Sequence, residues 1–97
     1  MQVVSEPRRR EILRLLWDGE LSAGEIAGRF DVTFGAVSQH LGVLRNAGFV
    51  TSRRDGNRRL YRADRARLGP LANALEAIWT ETLDRLADAV EADVRAR

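Results

Sequence analysis

Near the start of the chain, apolar residues recur three and four positions apart, the spacing of one face of an α-helix. The residues of this face are Ile12, Leu13, Leu15, Leu16 and Trp17. We expect Ser5 to cap the helix, because Glu6 and Pro7 suit a first helical turn. Asp18-Gly19 is expected to end it, with the glycine in the left-handed conformation.

Two more helical patterns follow, separated by a short turn at residues 31–32. The first begins with Ser22-Ala23-Gly24-Glu25, which fits a capping box in which the hydroxyl and the carboxylate each bind a backbone N–H group. Thr33 is expected to cap the second, and Ala47-Gly48 to end it. The apolar faces consist of Ile26, Ala27 and Phe30 in the first helix, and Val37, Leu41 and Leu44 in the second.

A hairpin and a long helix complete the pattern. Short runs at residues 49–54 and 58–62 flank Asp55-Gly56-Asn57, and a tight turn there needs a residue with positive φ. After a junction at 64–69, Pro70 suits the first turn of the last helix. That helix carries an apolar stripe of Leu71, Leu75, Ile78, Trp79, Leu83, Leu86, Val90 and Val94. Such a stripe, over about 25 residues, is more than one small domain can cover.

This order of elements, α-α-α-β-β-α, predicts a winged helix-turn-helix: mainly α, with a small β-hairpin as the wing. The 97 residues suit one domain, 1–97, with 70–97 as a dimerisation helix. The absence of cysteine excludes disulfides and thiolate metal sites. Without an apolar run of about 18 residues or a secretion signal, we expect no membrane partner and a cytoplasmic location.

The charge of the chain, +2 overall, is unevenly placed. Residues 1–67 hold 13 Arg against 8 acidic residues, whereas residues 68–97 hold 3 Arg against 6 acidic residues. A basic part followed by an acidic tail is typical of a nucleic-acid binder with a separate oligomerisation segment. On charge alone, an ordinary solvated surface is an equal alternative.

The third helix and the hairpin together predict a surface for double-stranded DNA. With its inner face in the core, the third helix presents its outer face to a major groove, where Gln39 can pair with adenine and Arg45 can reach phosphate. Four arginines around the hairpin tip exceed what an exposed edge needs, and favour phosphate or minor-groove contact. The predicted DNA contacts are Thr33, Gly35, Ala36, Ser38, Gln39, His40, Arg45, Arg53, Arg54, Asn57, Arg58 and Arg59.

Some of these assignments have structural alternatives. The helix pair from Ser22 to Gly48 could simply be two packed helices. His40, the one histidine, is either a DNA contact or a helix-packing residue. Tyr61 either lies over the sheet as core, the interpretation we favour, or reaches a phosphate.

The last helix predicts a homodimer, in which it pairs with its twin across a two-fold axis. The predicted interface consists of Ile12, Trp17, Leu71, Leu75, Ile78, Trp79, Leu83 and Leu86. The alternative is that this helix folds back as ordinary core of one subunit.

Several runs of residues resemble the ArsR/SmtB-type family of bacterial and archaeal repressors over about residues 7–90. The most specific run is Val37-Ser38-Gln39-His40-Leu41, followed by Leu44-Arg45-Asn46-Ala47-Gly48. The resemblance implies a dimeric winged-helix repressor that binds operator DNA and usually releases it on a signal. It assigns the major-groove role to Ser38, Gln39 and His40, and the wing role to Arg58 and Arg59.

The chain departs from this family at Phe34-Gly35, where members usually have a polar residue and often proline. Metal-sensing members use cysteines near the second and third helices, or Asp, His and Glu sets on the last helix. This chain has no cysteine and no histidine on that helix. It resembles the non-metal-sensing branch whose last helix carries a tryptophan followed by Leu-Asp-Arg-Leu, here Trp79 and Leu83-Asp84-Arg85-Leu86. We therefore expect no metal and no cofactor, and the residues identify no inducer. The alternative is a metal site made of carboxylates of the last helix with His40 or the chain ends.

Two other classes of function are weighed against DNA binding. A winged-helix module that docks a protein partner would not need the basic wing. An enzyme is not expected, because one histidine, no cysteine and no Ser-His-Asp set or glycine-rich phosphate loop leave little catalytic chemistry.

Overall fold

The computed structural model describes residues 3–81. Its elements are α1 (Pro7–Leu15), β1 (Leu21–Ser22), α2 (Ala23–Arg29), α3 (Phe34–Asn46), β2 (Val50–Asp55), β3 (Arg58–Ala63) and α4 (Arg65–Leu68). A last helix, α5, begins at residue 70 and is described as far as residue 81. The predicted winged helix-turn-helix is confirmed, with two short elements added to it.

The first helix begins and ends differently from the prediction. Its N-cap is Glu6, not Ser5, with Pro7 at the first helical position. The helix stops at Leu15, and Gly19 is not in the left-handed conformation. A glycine cap is unnecessary because the N–H groups of Leu16 and Trp17 already bind carbonyls of the last helical turn, those of Ile12, Leu13 and Arg14. Beyond the helix, the Ala63 N–H donates to the carbonyl of Leu16 at 3.0 Å, and the Arg65 side chain donates to that of Trp17.

The helix-turn-helix follows its predicted caps. Ser22 Oγ accepts from the Glu25 N–H at 3.1 Å, and the Glu25 carboxylate accepts from the Ser22 N–H at 3.0 Å, which confirms the capping box. Gly48, at φ 82°, ends α3 with the paired bonds of a Schellman motif. A Cβ at this glycine would lie 2.9 Å from Arg67 Nε, so a larger residue is doubly disfavoured.

The wing belongs to a three-stranded antiparallel sheet with strand order β1-β3-β2. The predicted hairpin is confirmed; its strands pair from Val50 opposite Ala63 to Asp55 opposite Arg58, and Gly56 supplies the positive φ of the turn. The third strand, β1, was not predicted, because two residues are too short to show alternation. The predicted junction at 64–69 contains α4, capped by the side chain of Asp64.

The core lies between α1, α2, α3 and the base of the sheet. Its fully buried side chains are Ile12, Leu13, Leu16, Ile26, Val37, Leu41, Leu44 and Leu75. Leu75 shows that α5 packs onto the same subunit through at least one face. The core thus fixes α3 by its inner face and leaves the outer face in solvent.

Candidate nucleic-acid interface

The third helix divides sharply into a buried and an exposed face. Val37, Leu41 and Leu44 are buried, as their i, i+4, i+7 spacing predicts. Ser38 and Gln39 are exposed on the other side. The predicted contacts Gly35, Arg45 and Thr33 are exposed as well, whereas Ala36 is half-buried. Among residues 3–81, nothing packs over this outer face in a way that would compete with a groove of DNA.

The start of α3 has the geometry of an orderly helix N-terminus. Thr33 caps it, its Oγ1 accepting from the Ala36 N–H at 3.1 Å. A Cβ at Gly35 would meet nothing nearer than Thr33 Oγ1 at 4.0 Å, and one at Gly42 would meet nothing within 4 Å. Packing within the subunit therefore does not require glycine at either position. Small residues there permit close approach of another molecule to the backbone.

His40 lies on the side of α3 that faces α1. Its Nδ1 accepts from Arg9 Nε at 3.3 Å, and Arg9 also donates to the carbonyl of Val3. The imidazole is half-buried. Burial lowers the pKa of His40 below its ordinary value, and the Arg9 guanidinium lowers it further; Arg8 acts in the same direction and Glu6 opposes them. Of the two alternatives for this residue, the geometry favours packing.

This depressed pKa makes a prediction about stability. The unfolded chain takes up the His40 proton before the folded chain does, so the contribution of neutral His40 is complete above the unfolded pKa of 6.5 and falls as the pH drops through it. We expect the melting temperature to fall between pH 7.5 and 5.5, and to fall less in His40→Asn, whose amide oxygen can still accept from Arg9. Equal losses in thermal melts of the two proteins would contradict the prediction.

The arginines of the wing differ in how much of their charge is already paired. Arg53 binds Glu20 through two bonds, 2.7 Å from Nε and 3.0 Å from Nη2. Arg58 lies 3.3 Å from the Glu25 carboxylate and 3.9 Å from that of Asp55. The Arg53 side chain is the main cause that lowers the pKa of Glu20. Two wing arginines are thus partly neutralised by acidic neighbours at the edge of the helix-turn-helix.

The other two wing arginines are not paired with a carboxylate of residues 3–81. Within that range, Arg59 donates to the neutral Ser52 hydroxyl, at 3.2 Å, and to no acidic side chain. Arg54 makes no ion pair or side-chain hydrogen bond with any residue from 3 to 81. Arg54 and Arg59 also stand opposite each other in the hairpin register. They make the tip of the wing the place with the most unpaired positive charge on the hairpin.

A cleft joins the wing to α3. Its lining comes from four elements and the turn of the hairpin, and includes Ser22, Phe34, Ser38, Asn57, Arg58 and Arg59. Four of these, Ser38, Asn57, Arg58 and Arg59, are predicted DNA contacts, so the fold brings helix and wing contacts to one side of the molecule. Tyr61 lines the same cleft while packing partly against the core, close to the interpretation favoured from the sequence.

Four residues belong to this surface or control it without having been predicted as part of it. They are Arg9, Glu20, Glu25 as a partner of the wing, and Phe34. The first three depend on contacts 31 to 33 residues apart in the chain, which no local pattern contains. Phe34 had a signal: it is a large apolar residue outside the Val37, Leu41 and Leu44 stripe.

Comparison with known proteins identifies the family. Residues 6–52 match the model of the bacterial regulatory protein, arsR family. The chain is 37% identical over 92 residues to the HTH-type transcriptional regulator Rv2034 of Mycobacterium tuberculosis, covering 95% of this chain and 86% of that protein. This chain belongs to the arsR family. The family inferred from the Val-Ser-Gln-His-Leu run is thereby confirmed.

Other relatives of this arsR-family chain carry more specific names. The biofilm growth-associated repressor of Agrobacterium fabrum is 35% identical over 79 residues, which cover 81% of this chain and 68% of the repressor. A solution structure from Mycobacterium bovis has a TM-score of 0.65 at 30% identity and covers 86% of this chain and 73% of that one. It is described as a homodimeric winged helix-turn-helix DNA-binding domain and a possible ArsR-family transcriptional regulator.

Some residues predicted to form the dimer interface of this protein are buried in the single chain. Ile12 is 0% exposed and Leu75 1% exposed in the single chain, so predicting them as interface contacts was wrong: both are core of their own subunit. Trp17 is also buried, edge-on to Trp79 with ring centroids 4.9 Å apart. The sequence could not separate buried from exposed positions, because Leu75 and Ile78 share the same helical spacing of apolar residues.

Three other residues of the predicted interface are at least partly exposed. Ile78 is 47% exposed, while Leu71 and Trp79 are half-buried. The predicted interface residues Leu83 and Leu86 lie outside the described residues, as does the Leu83–Leu86 motif. The described part of the chain contains no helix long and apolar enough to cross a membrane.

The ion pair between Glu20 and Arg53 gives a testable prediction about this surface. In Glu20→Gln the guanidinium loses its charged partner and becomes available to phosphate. We expect affinity for any DNA duplex to rise about threefold at low salt, because a freed cation adds up to one phosphate contact per subunit. The measurement is fluorescence anisotropy on random-sequence DNA.

A matched control removes the same charge elsewhere. Asp18→Asn loses a carboxylate that is bonded to Arg65 at 3.1 Å, away from the wing. If Asp18→Asn raises the affinity as much as Glu20→Gln, the gain comes from net charge and the pairing of Glu20 with the wing does not limit binding.

Proposed function

We propose that this protein is a transcriptional repressor that binds an inverted-repeat operator as a homodimer. The observation that carries the proposal is the cleft between α3 and the wing, where Ser38 of the exposed helix face lies beside Arg58 and Arg59. The side chains of Ser38 and Gln39 suit base edges, and the arginines suit phosphates. The names of the relatives support repression and DNA binding.

In this proposal α3 lies in the major groove and the wing follows the adjacent backbone. The inner face of α3 is fixed by the core, so the helix docks as a rigid body. Gln39 is assigned to direct base readout, while Arg54, Arg58 and Arg59 hold phosphate. Two subunits related by a two-fold axis would place their α3 helices in successive major grooves, about 34–36 Å apart.

The experiment that tests the proposal is selection of bound sites from a random duplex pool, with and without added zinc. We expect inverted repeats with half-sites about one helical turn apart, and the same sites in both arms. Gln39→Ala should lower the ratio of operator to random-duplex affinity. Failure to enrich any sequence would refute the proposed function, and a zinc-dependent loss of binding would refute the assignment to the non-metal-sensing branch.

The homodimer in this proposal rests on α5. Within residues 3–81, Ile78 and Phe34 are the exposed large hydrophobic residues, and Ile78 lies on α5. We expect Ile78→Arg to weaken self-association by about 30-fold or more, because a charge would enter an apolar interface. Sedimentation velocity in the micromolar range measures this.

The control for the dimer prediction is Phe34→Ser, which removes the other exposed large hydrophobic residue from a surface that is not assigned to dimerisation. It should sediment like the parent protein. A monomeric parent, or an Ile78→Arg variant that remains fully dimeric, would count against α5 as the interface.

A further inference from the structure

Phe34 stands at the first helical position of α3 with 61% of its surface exposed. The two other phenylalanines are at least partly buried, as expected of an aromatic residue. Phe49 is buried, and Phe30 packs partly against the core. The Arg8 guanidinium lies over the Phe30 ring, with Cζ 4.8 Å from the ring centroid. Phe34 is not part of the core cluster formed by the described residues. Packing among residues 3–81 therefore does not explain why a phenylalanine stands at this position.

Nor does Phe34 have a local role that another residue could not fill. The helix is capped by the Thr33 hydroxyl, and a first helical position has no special need for an aromatic ring. Phenylalanine is also a poorer helix former than most polar residues with unbranched side chains. An exposed aromatic ring at this place thus lowers helix stability slightly, and no packing into the core formed by residues 3–81 compensates for it.

The surroundings of Phe34 indicate what could cover it. The ring lines the cleft together with the hydroxyl of Ser38, the amide of Asn57 and the guanidinium groups of Arg58 and Arg59. An apolar patch of one side chain with a cationic and hydrogen-bonding rim suits a polyanion that displays a small apolar group. The major groove of DNA displays one such group, the C5-methyl of thymine, which apolar side chains contact.

We propose that Phe34 is a specificity-determining residue that reads a thymine methyl in each operator half-site. The inference rests on the proposed function and adds to it a named base. Residues at the N-terminal end of a recognition helix are the ones that contact base edges, and Phe34 occupies the first turn. Phe34 and Ser38, four residues apart, lie on the same side of α3, so the hydroxyl can engage the neighbouring base or phosphate while the ring covers the methyl.

The test replaces single thymines of the selected operator by deoxyuridine, which removes only the C5-methyl and keeps base pairing. We expect one thymine position per half-site at which the substitution weakens binding by about fourfold, and about fifteenfold when both half-sites are substituted. Phe34→Ala should bind the unmodified operator more weakly and be indifferent to deoxyuridine at that position. Phe34→Leu should keep part of the sensitivity.

Asn46→Ala is the matched control, because Asn46 is exposed at the other end of α3. It should retain the full response to deoxyuridine, and circular dichroism should show all three variants folded. Equal sensitivity of the parent and Phe34→Ala at every thymine would overturn the inference while leaving the proposed function in place. A protein that enriches no operator at all would overturn both.

Discussion

Reversing two charges on the wing, with Arg58→Glu and Arg59→Glu in one variant, is expected to reduce DNA affinity by on the order of 100-fold or more at low salt. A dimer would lose four cations and gain four anions where phosphates approach. Each lost phosphate contact also removes nearly one unit from the slope of log affinity against log salt, so the slope should fall by about four. Anisotropy titrations from 50 to 200 mM salt measure both quantities.

The variant should remain folded, so that the loss is one of binding. Arg58 and Arg59 are exposed, and the pairs that Arg58 forms with Glu25 and Asp55 are surface contacts. Such pairs contribute at most about 1 kcal/mol to stability. The melting temperature of the variant should therefore stay within a few degrees of that of the parent protein.

The matched control carries the same change in charge away from the proposed interface. Arg14→Glu with Arg29→Glu reverses two exposed arginines that lie in the last turns of α1 and α2. It should lose several-fold in affinity through the weaker overall field but keep most of the salt dependence. Similar losses in the two double variants would mean that net charge governs binding and that the wing has no special position.

The double wing variant, Arg58→Glu with Arg59→Glu, also distinguishes repression through DNA binding from the docking of a protein partner. If the winged helix served only as a shape for a partner, a reporter gene under the operator would be repressed equally by the parent and by the wing variant. We expect repression to be lost. If repression survives while DNA affinity falls, another surface of the molecule must be responsible for repression.

Local chemistry made much of this fold predictable. The reciprocal bonds of Ser22 and Glu25, the left-handed Gly48 and the hairpin turn at Gly56 each depend on residues within a few positions of one another. The buried face of α3 is also local, because Val37, Leu41 and Leu44 repeat with the helical period. Once the buried face of α3 is known, the remaining residues of the helix form the exposed face, and these carry the candidate contacts.

What escaped prediction depends on contacts between distant segments. The residues that follow α1 are bound by distant segments, because Ala63 and Arg65 donate to the carbonyls of Leu16 and Trp17, and the glycine cap expected at Gly19 does not form. Glu20 reaches Arg53 because β1 joins the sheet beside the hairpin. Helical periodicity marks Leu75 and Ile78 as apolar positions alike, but only the packed structure shows that the first is core and the second is exposed.

Removing the side chain that anchors α3 is expected to have the largest effect on stability. Leu41 is 1% exposed and sits in the core cluster between α1, α2 and the sheet. Leu41→Ala should lower the free energy of unfolding by about 2–5 kcal/mol, the sum of lost burial and the cavity left behind. Since the free energy of unfolding of a domain is only about 5–15 kcal/mol, this loss would be a large part of the stability of the protein.

The measurement is chemical denaturation followed by circular dichroism, with all proteins at one concentration because a dimer gains stability with concentration. Val43→Ala is the control: Val43 is on the same helix but half-buried, so its truncation should cost less than half as much. Operator binding by Leu41→Ala should weaken in step with the fraction unfolded, since the outer face of α3 is untouched. A Leu41→Ala protein as stable as Val43→Ala would show that the core does not hold the recognition helix in place, and the rigid docking of α3 would have to be abandoned.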